Sequence, residues 1–199
     1  MINSKPLMFI SVLSVIVLLT GCDNAMSVED YQGHVTRTLL GAGDTELPDL
    51  AYSINITLNY MYCAEELACV IPGEMEDFRE VAMAEAAYFG IYFKRICKDV
   101  NAPQSLTQDH ERLCDNLNFI RTELSSLAHA AQLARDYLRG VSVDLGNPED
   151  IAEARKSIEG LTTQMINGKA AIQDALRDLQ QIAWLDTIAQ KIEQEVFSN

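Results

Sequence analysis

Apolar residues in the second half of the chain recur in alternating steps of four and three: Leu113, Leu117, Ile120, Leu124, Leu127, Ala131, Ala134, Leu138 and Val141. On a helix of 3.6 residues per turn those steps line one stripe, the pattern of a coiled-coil-like seam. Ser105 or Thr107, both good N-caps, would open this helix. Gly146-Asn147-Pro148-Glu149-Asp150 then reads as a stop followed by a start. Gly146 ends one segment, Asn147 caps the next, Pro148 suits a first turn, and the two acids favour the positive end of a helix dipole.

The same step resumes through Ile151, Ala154, Ile158, Leu161, Met165, Gly168, Ile172, Ala175, Leu179 and Ile182, and then shifts to Leu185, Ala189, Ile192 and Val196. Two such helices joined by a short turn predict an antiparallel hairpin over about 105–197. Its second arm would run roughly 70 Å if unbroken. Gly160 and Gly168, each costing about 1 kcal/mol against alanine, mark where it would bend.

Upstream, Met75, Phe78, Ala82, Phe89, Phe93 and Ile96 with Cys97 share one face of a further helix, which Tyr88 and Tyr92 widen. Asn101-Ala102-Pro103 ends it, because proline neither continues a helix nor tolerates helical geometry before it. Residues 50–62 fit both a strand alternation and a helix. With no second strand to pair its backbone, helix is the expectation. Residues 22–48, with Gly33, Gly41, Gly43 and Pro48, read as an irregular tether. The expected fold is all-α: a helical bundle over 49–199 with a long antiparallel coiled-coil-like hairpin, stapled by disulfides.

The staples follow from five cysteines: Cys22, Cys63, Cys69, Cys97 and Cys114. Cys97 and Cys114 flank the turn at Pro103 and should meet across it. Cys63 and Cys69 are then left to pair, which requires "CAEELAC" to depart from a helix, since six residues set side chains about 240° apart. Zinc is disfavoured, because neither spacing resembles the usual C-x2–4-C. His110-Glu111 is followed by Cys114 where the H-E-x-x-H motif needs histidine, so a solvated charged turn is the reading there. His34 and His129 lack partners at ligand spacing, Gly41-Ala42-Gly43 lacks the setting of a phosphate loop, and Ser125 and Ser126 lack a glycine elbow. No catalytic residue, metal site or cofactor is expected, and the reading is a non-enzyme.

The amino terminus supplies an address. One cation, Lys5, precedes an apolar run from Leu7 to Leu19. A helix of about thirteen residues covers roughly 20 Å of a hydrocarbon core of about 30 Å, too short to span it comfortably. Charged start, short apolar middle and small-residue end describe a secretory signal, with an uncleaved anchor helix as the alternative. Leu19-Thr20-Gly21-Cys22 resembles the lipobox of bacterial lipoprotein signal peptides. The resemblance implies removal of 1–21 and acylation of Cys22 by palmitate-type chains, with two or more chains holding the protein on a bilayer. Asp23 then occupies the sorting position that enteric bacteria read as retention at the inner membrane. The expected location is the cell envelope, lipid-anchored and facing the periplasm. An exported chain also meets an oxidising compartment, which favours the disulfides.

The net charge of −14 disfavours nucleic acid as a partner and favours a basic protein surface. Trp184, Leu185 and Ile188 sit where the last stripe shifts and would be exposed beyond the shorter partner helix, making them the candidate interface. The functional expectation is a membrane-anchored scaffold or adaptor that binds a protein through its hairpin. The alternative is an immunity or exclusion lipoprotein that neutralises an incoming toxin, phage or conjugation apparatus. Self-association into a homo-oligomer is open to either, since heptad surfaces pair readily.

Overall fold

A computed structural model describes residues 26–42, 47–61 and 70–198. Among these the fold is all-α with six α-helices: α1 Val28–Leu39, α2 Leu50–Tyr60, α3 Pro72–Cys97, α4 Thr107–Gly140, α5 Pro148–Gln180 and α6 Asp186–Ile192. The ambiguous segment after Pro48 is therefore a helix. It is capped by Asp49, whose Oδ1 accepts from the Ala51 N–H at 3.0 Å.

The three long helices run antiparallel in sequence. α4 packs on both α3 and α5, which explains why Ala128 and Ala130 are buried as well as its main stripe. Ion pairs and the disulfide fix the register. Arg135 meets Glu76 at one end of the α3–α4 pair, and Cys97 is bonded to Cys114 towards the other. Along α4–α5, Arg112 Nε donates to Asp178 at 2.8 Å and Gln164 donates to Ser126 Oγ at 2.9 Å. The turn between these helices behaves as its sequence predicts: Asn147 Oδ1 accepts from Glu149 N–H at 3.0 Å and Pro148 occupies the first turn.

Gly168 is a contact point, not a bend. A Cβ there would lie 2.5 Å from Leu127 Cδ2, so the missing side chain is what lets α5 approach α4. Gly160 lies in open space within the same helix. The break falls instead after Gln180. Ile182 turns extended, a 3-10 turn covers Ala183–Leu185, α6 follows, and a π-turn spans Glu193–Phe197. The expected unbroken arm is thus a helix of 33 residues, roughly 50 Å, followed by short pieces folded back. No glycine or proline causes the break. Ile182, Leu185, Ile188 and Ile192 all become buried by it, and that burial outweighs the lost helical hydrogen bonds.

The tether expectation is corrected as well. Within 22–48 the chain forms α1, whose Tyr31, Val35 and Leu39 are fully buried. Ser27 caps it, accepting from Asp30 N–H at 3.1 Å. Gly41, at φ +62°, ends it: Gly41 N–H bonds Thr38 O, and Ala42 N–H bonds Arg37 O, a Schellman closure that needs the left-handed conformation. At the start of α4, neither Ser105 nor Thr107 acts as the cap. Thr107 Oγ1 donates instead to Gln104 O in a preceding 3-10 turn.

Candidate functional site

α1, α2 and α6 gather around the end of the long helices where α3 finishes and α4 begins. Three polar ties hold them there. Tyr92 Oη donates to Pro48 O, His34 Nε2 donates to Arg95 O at 3.2 Å, and Lys191 Nζ meets Asp49 at 2.6 Å. At the centre of this end, Tyr31 stands edge-on to both His110 and Trp184, with ring centroids 5.7 and 5.9 Å away. Its hydroxyl lies 2.5 Å from His110 Nδ1. Burial, with Asp109 nearby, pushes the Tyr31 phenol up to about 12. A phenol so held keeps its proton and donates it, which leaves the proton of a neutral imidazole on Nε2. Burial also lowers the His110 pKa, favouring that neutral form.

His110 is therefore not a solvated turn residue; it is half-buried on α4. Its other neighbour is the disulfide. Cys114 Sγ lies 3.8 Å from Nδ1 and 3.6 Å from Nε2, distances so similar that the sulfur rests against the ring. The Cys97–Cys114 bond has its Cα atoms 5.8 Å apart, as the turn at Pro103 predicts. Cys63 and Cys69, like Cys22 and Asp23, lie outside the described residues.

Trp184, Leu185 and Ile188 do not form an exposed interface. Leu185 and Ile188 are core residues, only 1% and 2% exposed. Trp184 is half-buried and donates from Nε1 to Asp109 Oδ2 at 2.8 Å. Large exposed apolar side chains occur on several helices, Val28, Tyr52, Tyr60, Met83 and Phe119 among them, and one group of four lies towards the other end of the molecule. Leu133 and Tyr137, 45% and 40% exposed, lie four residues apart near the end of α4. Val141, expected in the core stripe, instead falls in extended backbone just past the helix and is 37% exposed, and Leu145 in the loop is 54% exposed. Leu133 and Tyr137 are visible in the sequence as an i, i+4 pair beside the core heptad, but which of the two faces is covered is not.

Two carboxylates of α3 sit in opposite surroundings. Glu76 accepts from both Arg79 and Arg135, and these guanidinium groups hold its carboxyl down at about 2. Glu85 is the opposite case. It occupies the step between Ala82 and Phe89 on the core-facing side of α3, is 6% exposed, and its Oε2 has no hydrogen-bond partner. Burial raises it to about 7. The signal was a gap in the apolar ladder of α3, filled by an acid.

Among the described residues no three His, Cys, Asp or Glu side chains converge to hold a metal, and no helix is long and apolar enough to cross a membrane. No protein-family model, no curated protein and no solved structure matches this chain.

Proposed function

We propose that this is a cell-envelope lipoprotein, held on a bilayer through acylated Cys22, that serves as a non-enzymatic adaptor for a protein partner. The observation that carries the binding role is the exposed apolar series Leu133, Tyr137, Val141 and Leu145 at the tip of the α4–α5 hairpin. Other large apolar side chains are exposed elsewhere, such as Tyr52, Met83 and Phe119, but here four fall within thirteen residues at one end of a hairpin, the grouping that a binding surface presents. The loop that follows carries Asp144, the first turn of α5 carries Glu149 and Asp150, and no basic residue lies between Val141 and Asp150. The occupant is accordingly a basic protein surface with an apolar centre, steered by a chain of net charge −14.

Position supports the same reading. α1 begins six residues after Cys22 and packs at the end opposite the tip. From His110 to Tyr137 the helix rises roughly 40 Å, so an anchored protein would carry its tip well clear of the lipid. The test is gentle detergent purification of the tagged full chain, alongside Leu133→Glu and Cys22→Ser, with mass spectrometry of the accompanying proteins. The adaptor reading expects an envelope component that Leu133→Glu loses, and release of Cys22→Ser from the membrane. A partner retained by Leu133→Glu would remove the tip from consideration. A basic toxin captured only on challenge would replace the adaptor with an immunity protein.

A further inference from the structure

Cys97 and Cys114 both line one open cleft of about 380 Å3, together with Phe93, Lys98, His110, Glu111 and Asp115. The two sulfurs are chemically unequal. Cys97 is the last residue of α3, at the carbonyl end of the helix, where the dipole disfavours a thiolate. Cys114 lies inside α4, and its Sγ rests against the His110 ring at 3.6 Å. Once the bond opens, Cys114 Sγ can turn from the ring towards Nε2, whose N–H then donates to a thiolate and stabilises it. Tyr31 holds the ring in place from the far side. Glu111 and Asp115 oppose negative charge on Cys114 from its own helix, so the preference rests on the imidazole. Lys98, next to Cys97, draws an anionic attacker to that side.

We propose that Cys97–Cys114 is an exchange site for a dithiol reductant, attacked at Cys97 with Cys114 leaving against His110. The reductant's thiolate bonds to Cys97 Sγ as the Cys97–Cys114 bond breaks, and the bonding pair goes to Cys114 Sγ. The second reductant thiolate then displaces Cys97. Two electrons pass to the protein, the dithiol becomes a disulfide, and its two protons end on Cys97 and Cys114. Arg135–Glu76 and the α3–α4 packing remain in place, so reduction frees one end of the helix pair without dissolving it. The site is independent of whether the hairpin tip binds a partner.

The test treats the oxidised full chain in detergent with dithiothreitol at about pH 7 without denaturant. Acid quenching, alkylation and peptide mass spectrometry then report each cysteine separately. The bond should open while far-ultraviolet circular dichroism keeps its helical signal. In the reduced protein, iodoacetamide at about pH 6.5 should label Cys114 at least about fivefold faster than Cys97, the ratio approaching one near pH 9. His110→Gln should abolish that preference. A bond that opens only in urea is a closed structural staple and overturns the proposal. So does Cys97 reacting as fast as Cys114 at the lower pH, a comparison that needs no variant.

Discussion

Replacing Glu85 with glutamine should stabilise the protein at neutral pH, by an amount that fades as the solution is acidified. Glu85 is 6% exposed, and its carboxyl is raised by burial from an ordinary 4.5 to about 7. In the unfolded chain the group is ionised at pH 7, whereas in the folded one it is about half protonated. Between those two values the folded state binds more protons, so stability rises as pH falls. The cost at pH 7 is about 3 kcal/mol, and below about 1 kcal/mol at pH 5. It is fully relieved below the unfolded value and complete once pH exceeds the folded one.

Glutamine keeps the shape and polarity of the side chain but not its titration. Urea unfolding of both proteins, followed by circular dichroism from about pH 5 to pH 8, isolates this residue, because every other group cancels in the difference. The advantage of Glu85→Gln should be about 3 kcal/mol at pH 7 and shrink by about 2 kcal/mol at pH 5. A difference that is independent of pH would refute the burial argument. So would a glutamine variant no more stable than the parent at pH 8.

The two glycines of α5 should respond in opposite directions to the same substitution. Gly160→Ala meets open space and should stabilise by about 1 kcal/mol through helix propensity. Gly168→Ala drives a methyl to 2.5 Å from Leu127 Cδ2 and should cost about 1–3 kcal/mol net; thermal unfolding of the pair decides it, and a stabilised Gly168→Ala would contradict the close approach of α4 and α5. Trp184→Phe keeps an aromatic ring beside Tyr31 but strands Asp109 without its indole N–H donor. A loss of about 1 kcal/mol in urea unfolding is expected, and none at all would mean that water replaces the bond freely.

Legibility in the sequence divides by range. The α3, α4 and α5 stripes, the stop at Pro103 and the Asn147-Pro148 start are readable because helical periodicity and capping act within a turn or two. From those elements the meeting of Cys97 with Cys114 follows by geometry alone. The shift of the stripe from Ile182 to Leu185 is visible too, but reads as a change of face within one continuous arm; the helix in fact ends at Gln180, just before it.

What lay beyond that range was decided by contacts between distant parts of the chain. Tyr31 and His110 are 79 positions apart, and Lys191 and Asp49 are 142 apart. No local pattern announces that a glycine-bearing stretch will fold as α1 onto the ends of α3 and α4. Nor does one announce that Trp184 will find Asp109. Periodicity states which residues share a face; only the packing of one helix on another states whether that face meets protein or water. For this protein the sequence determined the stripes of the three long helices and the turns between them, because periodicity and capping are local; the tertiary structure decided α1, the break after Gln180, the buried end, the exposed tip and the imidazole that lies against one sulfur of the disulfide.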